Sequence, residues 1–227
     1  MPPRRPWAYE RGTLWAMDLD GQALHVPAPQ AAATCGEVPR ETAAPLAAAM
    51  GLADAREVRR RFTAGSRCFA ARVDGAIAAY GWVSQGVERI GELERSLRMR
   101  SDEAYIWDCA TLPPYRRCGL YTALLGHIAA SLRGEGIHRL WIGASLQNRP
   151  SIRGFAAAGF RPVIRLTYAR LLSLSRVWVA DDPTTPPELV ADARRALVDP
   201  REQLDVGAAV GDTASARSDV CAEEKCL

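Results

Sequence analysis

The stretch from residue 104 to 144 constrains this chain more than any other. Residues 104–111 (AYIWDCAT) are apolar and aromatic-rich, as a buried strand requires. Leu112-Pro113-Pro114 ends that strand, because proline fixes φ and has no N–H to give to a ladder. A helix is predicted from about Arg117 to Arg133, where Tyr121, Leu124, Leu125, Ile128 and Leu132 share one face. Gly134 and Gly136 stop it, and residues 138–144 (HRLWIGA) read as the next strand. Helices and strands that alternate in this way predict an α/β or α+β domain around a mixed sheet.

The flanking segments fit that expectation. Residues 13–18 form a short strand candidate. Residues 39–50 and 54–65 read as two short helices, with Gly51 and Gly65 at their ends. RCFAARV-DG-AIAAYGWV is a hairpin signal, with Asp74-Gly75 suited to a type I′ turn. Residues 85–102 are polar and are either a further strand or a loop over a site. Residues 150–158 form a short helix with Pro150 in its first turn and Gly159 past its end. Residues 160–171 and 176–180 are closing strands.

Composition shifts at Asp181. Residues 181–227 hold eleven acidic and five basic side chains, a net −6 that leaves +9 on residues 1–180 of a chain with total charge +3. The basic body suits a polyanionic ligand, although the arginine richness with a single lysine, Lys225, also reads as genomic bias. The expected divisions are an N-terminal strand and loop extension (1–34), one main domain (35–180), and an acidic tail (181–227), largely disordered apart from one helix near 188–198. Six cysteines without a C-x-x-C pair and three scattered histidines predict no metal site. No apolar run approaches roughly 18 residues and no signal-peptide h-region is present, so a cytoplasmic protein with no membrane partner is expected. No basic run interleaved with aromatics points to nucleic acid.

The chemistry concentrates in PPYRRCGLYTALL (113–125). A helix N-terminus offers unpaired N–H groups and partial positive charge, and a glycine there lets an anion approach the backbone. Alone, R-x-x-G is equally an ordinary strand-to-helix turn. With its downstream partner NRPSIRGFAAAGF (148–160), however, the chain resembles the GNAT acyltransferase superfamily. The first segment is similar to that family's Q/R-x-x-G-x-G/A motif, and the second to its N-x-x-S-x-x-x-Y-x-x-x-G-F segment. The resemblance spans roughly residues 35–171. It implies a mostly antiparallel central sheet with flanking helices and a splayed pair of parallel strands.

It also implies a donor site for acetyl-CoA. Cys109, Ala110 and Thr111 match the strand whose backbone pairs with the pantetheine arm. Arg116, Arg117, Cys118, Gly119, Leu120, Tyr121 and Thr122 match the loop that holds the pyrophosphate. Asn148 matches a residue that bonds the pantetheine beside the splay. The chain departs from the pattern twice. Tyr121 stands where the motif has Gly or Ala, and its ring is either a helix-face core residue or turned from the phosphate. Phe155 stands where many members carry a tyrosine able to protonate the departing thiolate, and phenylalanine has no proton to give.

The implied activity is N-acetyl transfer from acetyl-CoA to a primary amine by direct attack. The ammonium must lose its proton near neutral pH, and the carbonyl needs a donor such as a backbone N–H near Ala110 or Thr111. Candidate bases are Asp108, inside an apolar strand, Glu103 at its start, and Glu94, with Glu92 beside it. Strict alternation puts Glu103 on one face with Trp107 and Cys109, and Asp108 on the other; a β-bulge would invert that assignment. Asp108 reads equally as a structural carboxylate bonded to an arginine, and Glu92 and Glu94 as a solvated loop. Cys118, at a helix start, and Cys109 are nucleophile types, but incidental thiols fit as well. Trp82, Tyr105 and Trp107 are core residues or lining of an acceptor pocket. The alternative, motivated by Phe155, is a non-catalytic acyl-CoA-binding or regulatory module. A homodimer is compatible with either.

Overall fold

A computed structural model describes residues 7–21, 32–90, 95–172 and 174–198. The strands are β1 Trp7–Asp18, β2 Thr34–Glu37, β3 Arg67–Val73, β4 Ala76–Ser84, β5 Val87–Ile90, β6 Arg95–Arg98, β7 Glu103–Thr111, β8 Arg139–Ser145, β9 Arg161–Leu171, β10 Leu174–Asp181 and β11 Leu197–Val198. The helices are α1 Ala43–Ala49, α2 Arg56–Thr63, α3 Leu120–Gly134, α4 Arg149–Ala158 and α5 Pro187–Ala196.

Eight strands form one sheet in the order β10-β9-β1-β8-β7-β4-β3-β2, and β11-β6-β5 form a small second sheet. In the large sheet β7 and β8 run parallel, and the other pairs are antiparallel. This is the mixed α/β architecture expected from the sequence, with its one parallel pair where the strand–helix–strand unit must put it. The β3–β4 turn is formed by Asp74 (φ 50°) and Gly75 (φ 82°), both left-handed, as a type I′ turn demands.

β1 is longer than its expected six residues. Its first half is solvent-exposed and carries no hydrophobic run, so only Leu14–Met17 signal a strand in the sequence. Nor is it an extension: it lies between β8 and β9 inside the sheet. Similarly, α5 packs Leu189, Val190, Ala193 and Ala196 against Leu14, Ile164 and Tyr168, so the chain from Asp181 to Val198 belongs to the folded body. The rest of the acidic tail, residues 199–227, lies outside the described residues, as do Glu92 and Glu94. On either side of residues 91–94 the polar stretch forms an antiparallel strand pair, β5–β6.

Cores lie on both faces of the sheet. α3 and α4 cover one face, where Leu124, Leu125, Ile128, Phe155 and Phe160 meet Trp15, Met17, Ile106 and Ile142. On the other face α1 and α2 cover β3 and β4 with Leu46, Val58, Phe62, Tyr80 and Trp82, while α5 covers β1 and β9. Each fully buried side chain of this size contributes roughly 1.5–3 kcal/mol. The two helical covers on this second face leave Trp107 partly buried, touching both clusters.

Candidate functional site

The site begins where two strands part. β7 and β8 pair only from Glu103↔Arg139 to Ile106↔Ile142. Beyond that point β7 stays bound to β4 up to Thr111, and β8 stays bound to β1 up to Ser145. The two strands therefore diverge while each remains anchored on its outer side. The opening is flanked by Trp107, Asp108, Cys109, Ala110 and Thr111 on one strand and Gly143, Ala144 and Ser145 on the other. Backbone groups that a neighbouring strand would satisfy are left for another partner.

A bulge then re-aims the side chains of β7. Tyr80 pairs with Ala110 and Trp82 with Trp107, so two residues, Asp108 and Cys109, stand against the single Gly81. Asp108 takes a left-handed φ of 42°, the first residue of a bulge. Strict alternation is thereby broken. Trp107 and Asp108 both face α2, whereas Cys109 turns to the α3 side, packed with Ile128 against Gly81. A Cβ on Gly81 would lie 2.9 Å from the Cys109 sulfur. Glycine is thus required opposite the bulge.

Asp108 is caught by Arg61 of α2, Nη1 to Oδ2 at 2.5 Å. Arg61 also bonds Glu57 at 2.9 Å and sits 5.1 Å and 4.7 Å from the rings of Trp82 and Trp107. Burial works against the Arg61 charge, but Asp108 and Glu57 outweigh it and hold its pKa above the ordinary value. Burial would likewise raise the Glu57 carboxyl, and hydrogen bonds from Arg60 and Arg61 instead hold it below the usual range.

Glu103 occupies the other end of β7 and does not reach the opening. It is 2% exposed. It accepts from the Arg100 N–H at 2.9 Å and from Arg195 at 3.2 Å, with Arg139 at 3.7 Å. Glu103, one of the expected candidate bases, thus stands away from the opening and ties β7 to β8 and α5 through these contacts. Glu94 lies outside the described residues.

The loop after β7 folds as a short 3₁₀ turn, Pro113–Tyr115, followed by two left-handed residues, Arg117 (φ 65°) and Gly119 (φ 73°). These delay the helix start to Leu120, three residues past the expected Arg117. The helical ladder opens with Ala123 N–H to the Gly119 carbonyl at 3.1 Å. The amides of Leu120, Tyr121 and Thr122 precede it, and no side chain caps the end. Arg116 and Arg117 are exposed, and the Arg116 Nε donates back to the Thr111 carbonyl at 3.3 Å. Cys118 Sγ donates to the Arg116 carbonyl at 3.5 Å, so this thiol is a turn element. The buried Cys109 thiol leans on the Trp107 carbonyl at 3.6 Å.

Asn148 caps α4, its Oδ1 accepting from the Ser151 N–H at 3.2 Å, which leaves its amide nitrogen as a donor. Tyr121 resolves as a core-facing ring: it packs on Phe155 with centroids 6.2 Å apart, and a Cβ on Gly154 would come within 2.5 Å of it. Gly154 is the compensation for bulk at position 121. Phe155 is 1% exposed, set edge-on to Trp15 at 5.9 Å.

A parallel pair that opens before a glycine loop at a helix start is a specific arrangement. The family description "Acetyltransferase (GNAT) family" matches residues 39–160, more than half of the chain. This chain belongs to the GNAT acetyltransferase family. Solved structures share the fold. A tandem GNAT protein from the clavulanic acid biosynthesis pathway is 24% identical, with a TM-score of 0.51 over 78% of this chain and 55% of that one. A GCN5-related N-acetyltransferase from Sphaerobacter thermophilus is 15% identical, with a TM-score of 0.52 over 79% of this chain and 56% of that one. A glucosamine N-acetyltransferase region of a fungal multi-domain β-N-acetylglucosaminidase is 12% identical, with a TM-score of 0.53, over 72% of this chain and 21% of that one. No curated protein matches the chain.

For a GNAT chain the residues present fit an acyl-CoA donor. The opening offers unpaired strand backbone, the loop offers amides ahead of the α3 ladder, and two exposed arginines flank them. Three participants had no signal in the sequence: Arg61, which meets Asp108 from 47 positions away; Gly81, set by the bulge; and Gly154, set by Tyr121. Each is defined by a partner distant in the chain.

Proposed function

We propose that the chain transfers an acetyl group from acetyl-CoA to a primary amine by direct attack. The observation that carries this reading is the end of β7–β8 pairing at Ile106↔Ile142, immediately before the loop at 116–122. The amides of Arg116–Thr122, with the Arg116 and Arg117 side chains, would hold the pyrophosphate. Backbone groups of Cys109, Ala110 and Thr111, with the Asn148 amide nitrogen, would hold the pantetheine arm. The bound donor supplies an activated thioester carbonyl. A backbone N–H near Ala110 or Thr111 would polarise that carbonyl.

Asp108 is the carboxylate of β7 that stands at the opening, and we assign it the ammonium proton. Arg61 positions it by holding Oδ2, which directs Oδ1 to the acceptor. The acceptor approaches past Trp107, between the α2 and α5 covers. A cytoplasmic setting belongs to this reading and agrees with the four free cysteines among the described residues.

Calorimetry with acetyl-CoA tests the reading. One site per chain is expected, and Gly119→Glu, which brings bulk and negative charge to the loop, should abolish it. No binding of acetyl-CoA or of any longer acyl-CoA would sink the proposal. The burial of Phe155, which offers no proton, favours one alternative, a non-catalytic acyl-CoA-binding or regulatory module. Tight donor binding with no transfer across a broad amine panel would establish that alternative instead.

A further inference from the structure

Helices α1, α2 and α5 cover most of the second face of the sheet, and the first face is covered over a shorter span. α3 and α4 lie over the central strands, and among the described residues no helix covers the far end, β1–β9–β10, on their side. Register shows what that bare face carries. Trp7, Leu171 and Leu174 stand directly across from one another on the three strands. Two residues further along, Tyr9, Ala169 and Arg176 form the next row, and then Arg11, Thr167 and Trp178. Residues opposite each other and two apart share one face. The alternate residues Tyr168, Val177 and Val179 turn to the other face, under α5.

The side chains on the bare face are large, apolar and open. Leu174 is 79% exposed, Leu171 66%, Trp7 60%, Tyr9 57% and Trp178 49%, with Leu172 at the turn 73%. Taking roughly 150–250 Å² for an aromatic side chain, these six expose on the order of 600 Å², at the upper end of a monomer's largest patch. The stems of Arg11 and Arg176 extend it toward the ~800 Å² that each partner gives to a stable interface. In a chain with 26 acidic residues, none of these three rows contains an Asp or Glu. Tryptophan, tyrosine and arginine without carboxylates or lysine is the composition of interface cores. Arg176 already lies over the Trp178 ring at 5.9 Å, so its charge is placed to stack on an aromatic surface.

We propose that this face is an isologous dimer interface, packed against the same face of a second copy of the chain. Packing is by face and not by strand addition at β10. That edge is guarded by Arg194 of α5, which bonds Asp181 at 2.6 Å and reaches the Val179 carbonyl at 3.4 Å.

Sedimentation velocity on the full chain tests this. The wild type is expected at the mass of two chains at micromolar concentration. Leu171→Glu with Leu174→Glu should weaken association at least a hundredfold, while circular dichroism and thermal midpoint stay near wild type, since both positions are exposed. Leu174→Ser alone should weaken it less. Val87→Glu, an exposed apolar position on the small sheet, should leave the dimer intact. A monomer at all concentrations up to about 0.1 mM would overturn the proposal. So would a dimer that survives the double variant, or a monomer that instead co-sediments with phosphatidylserine-containing vesicles.

Discussion

Two carboxylates on one strand have opposite surroundings. Glu103 and Asp108 both point to the second face of the sheet, five residues apart on β7. At Glu103 the strand is still paired with β8, and Arg139, Arg195 and the Arg100 backbone close around the side chain. At Asp108 the partner strand has gone, a bulge has turned the residue outward, and one arginine meets a side chain that remains 25% exposed. The paired end therefore uses its carboxylate to hold elements together. The parted end holds its carboxylate in place yet leaves it reachable. Our proposal puts the chemistry at the second end, where the parted strands, a reachable carboxylate and the helix start converge.

Removing the anchor should have the largest effect. Glu103→Ala leaves the Arg100 N–H and the Arg195 guanidinium without their buried acceptor and should cost about 3 kcal/mol, read as a fall in denaturation midpoint. Residual activity should scale with the folded fraction. A Glu103 variant that stays stable yet loses turnover would break the comparison. Next, Asp108→Asn keeps the shape and much of the Arg61 contact, and should lower kcat by about 10² with KM for the donor little changed. An unchanged kcat would move the base elsewhere.

The third test concerns the packing beside the opening. Gly154→Ala drives a methyl into the Tyr121 ring and should cost about 1–2 kcal/mol. The double change with Tyr121→Ala should recover that loss if the two residues are coupled, because alanine is otherwise preferred over glycine in a helix. The smallest effect is in acid. Glu57 at the open end and Asp192 beside Glu103 are held below the usual carboxylate range, since arginine contacts outweigh burial in both. Their stabilisation is fully present above the unfolded-state values near pH 4 and is lost as pH falls through the lowered folded values. Glu57→Gln or Asp192→Asn should each flatten the acid limb of a midpoint-against-pH curve by about 0.2–1 kcal/mol, since both groups remain in contact with solvent, which screens them.

Local signals carried much of the fold. The Asp74-Gly75 turn, the apolar run of β7, the α3 stripe and the Asn148 and Gly159 boundaries of α4 all depend on neighbours within a few residues. Each of these elements stands within about three residues of its expectation. What escaped was non-local. The first half of β1 has no apolar pattern, because it becomes a strand only by lying between β8 and β9. Residues 187–196 were expected as one helix, but within a tail set apart from the domain, because the cover they provide for Leu14 and Tyr168 exists only in three dimensions.

The site divides along the same line. PPYRRCGLY and the distant Asn148 segment were enough to give the family, since backbone amides at a helix start work through spacing and glycine, both of which a sequence displays. Which face Asp108 occupies was open on alternation alone. One extra residue against Gly81 decided it, and with it the difference between Glu103 as anchor and Asp108 as candidate base. A bulge has no residue signature of its own; it is set by the register between two strands, and register is a property of the sheet.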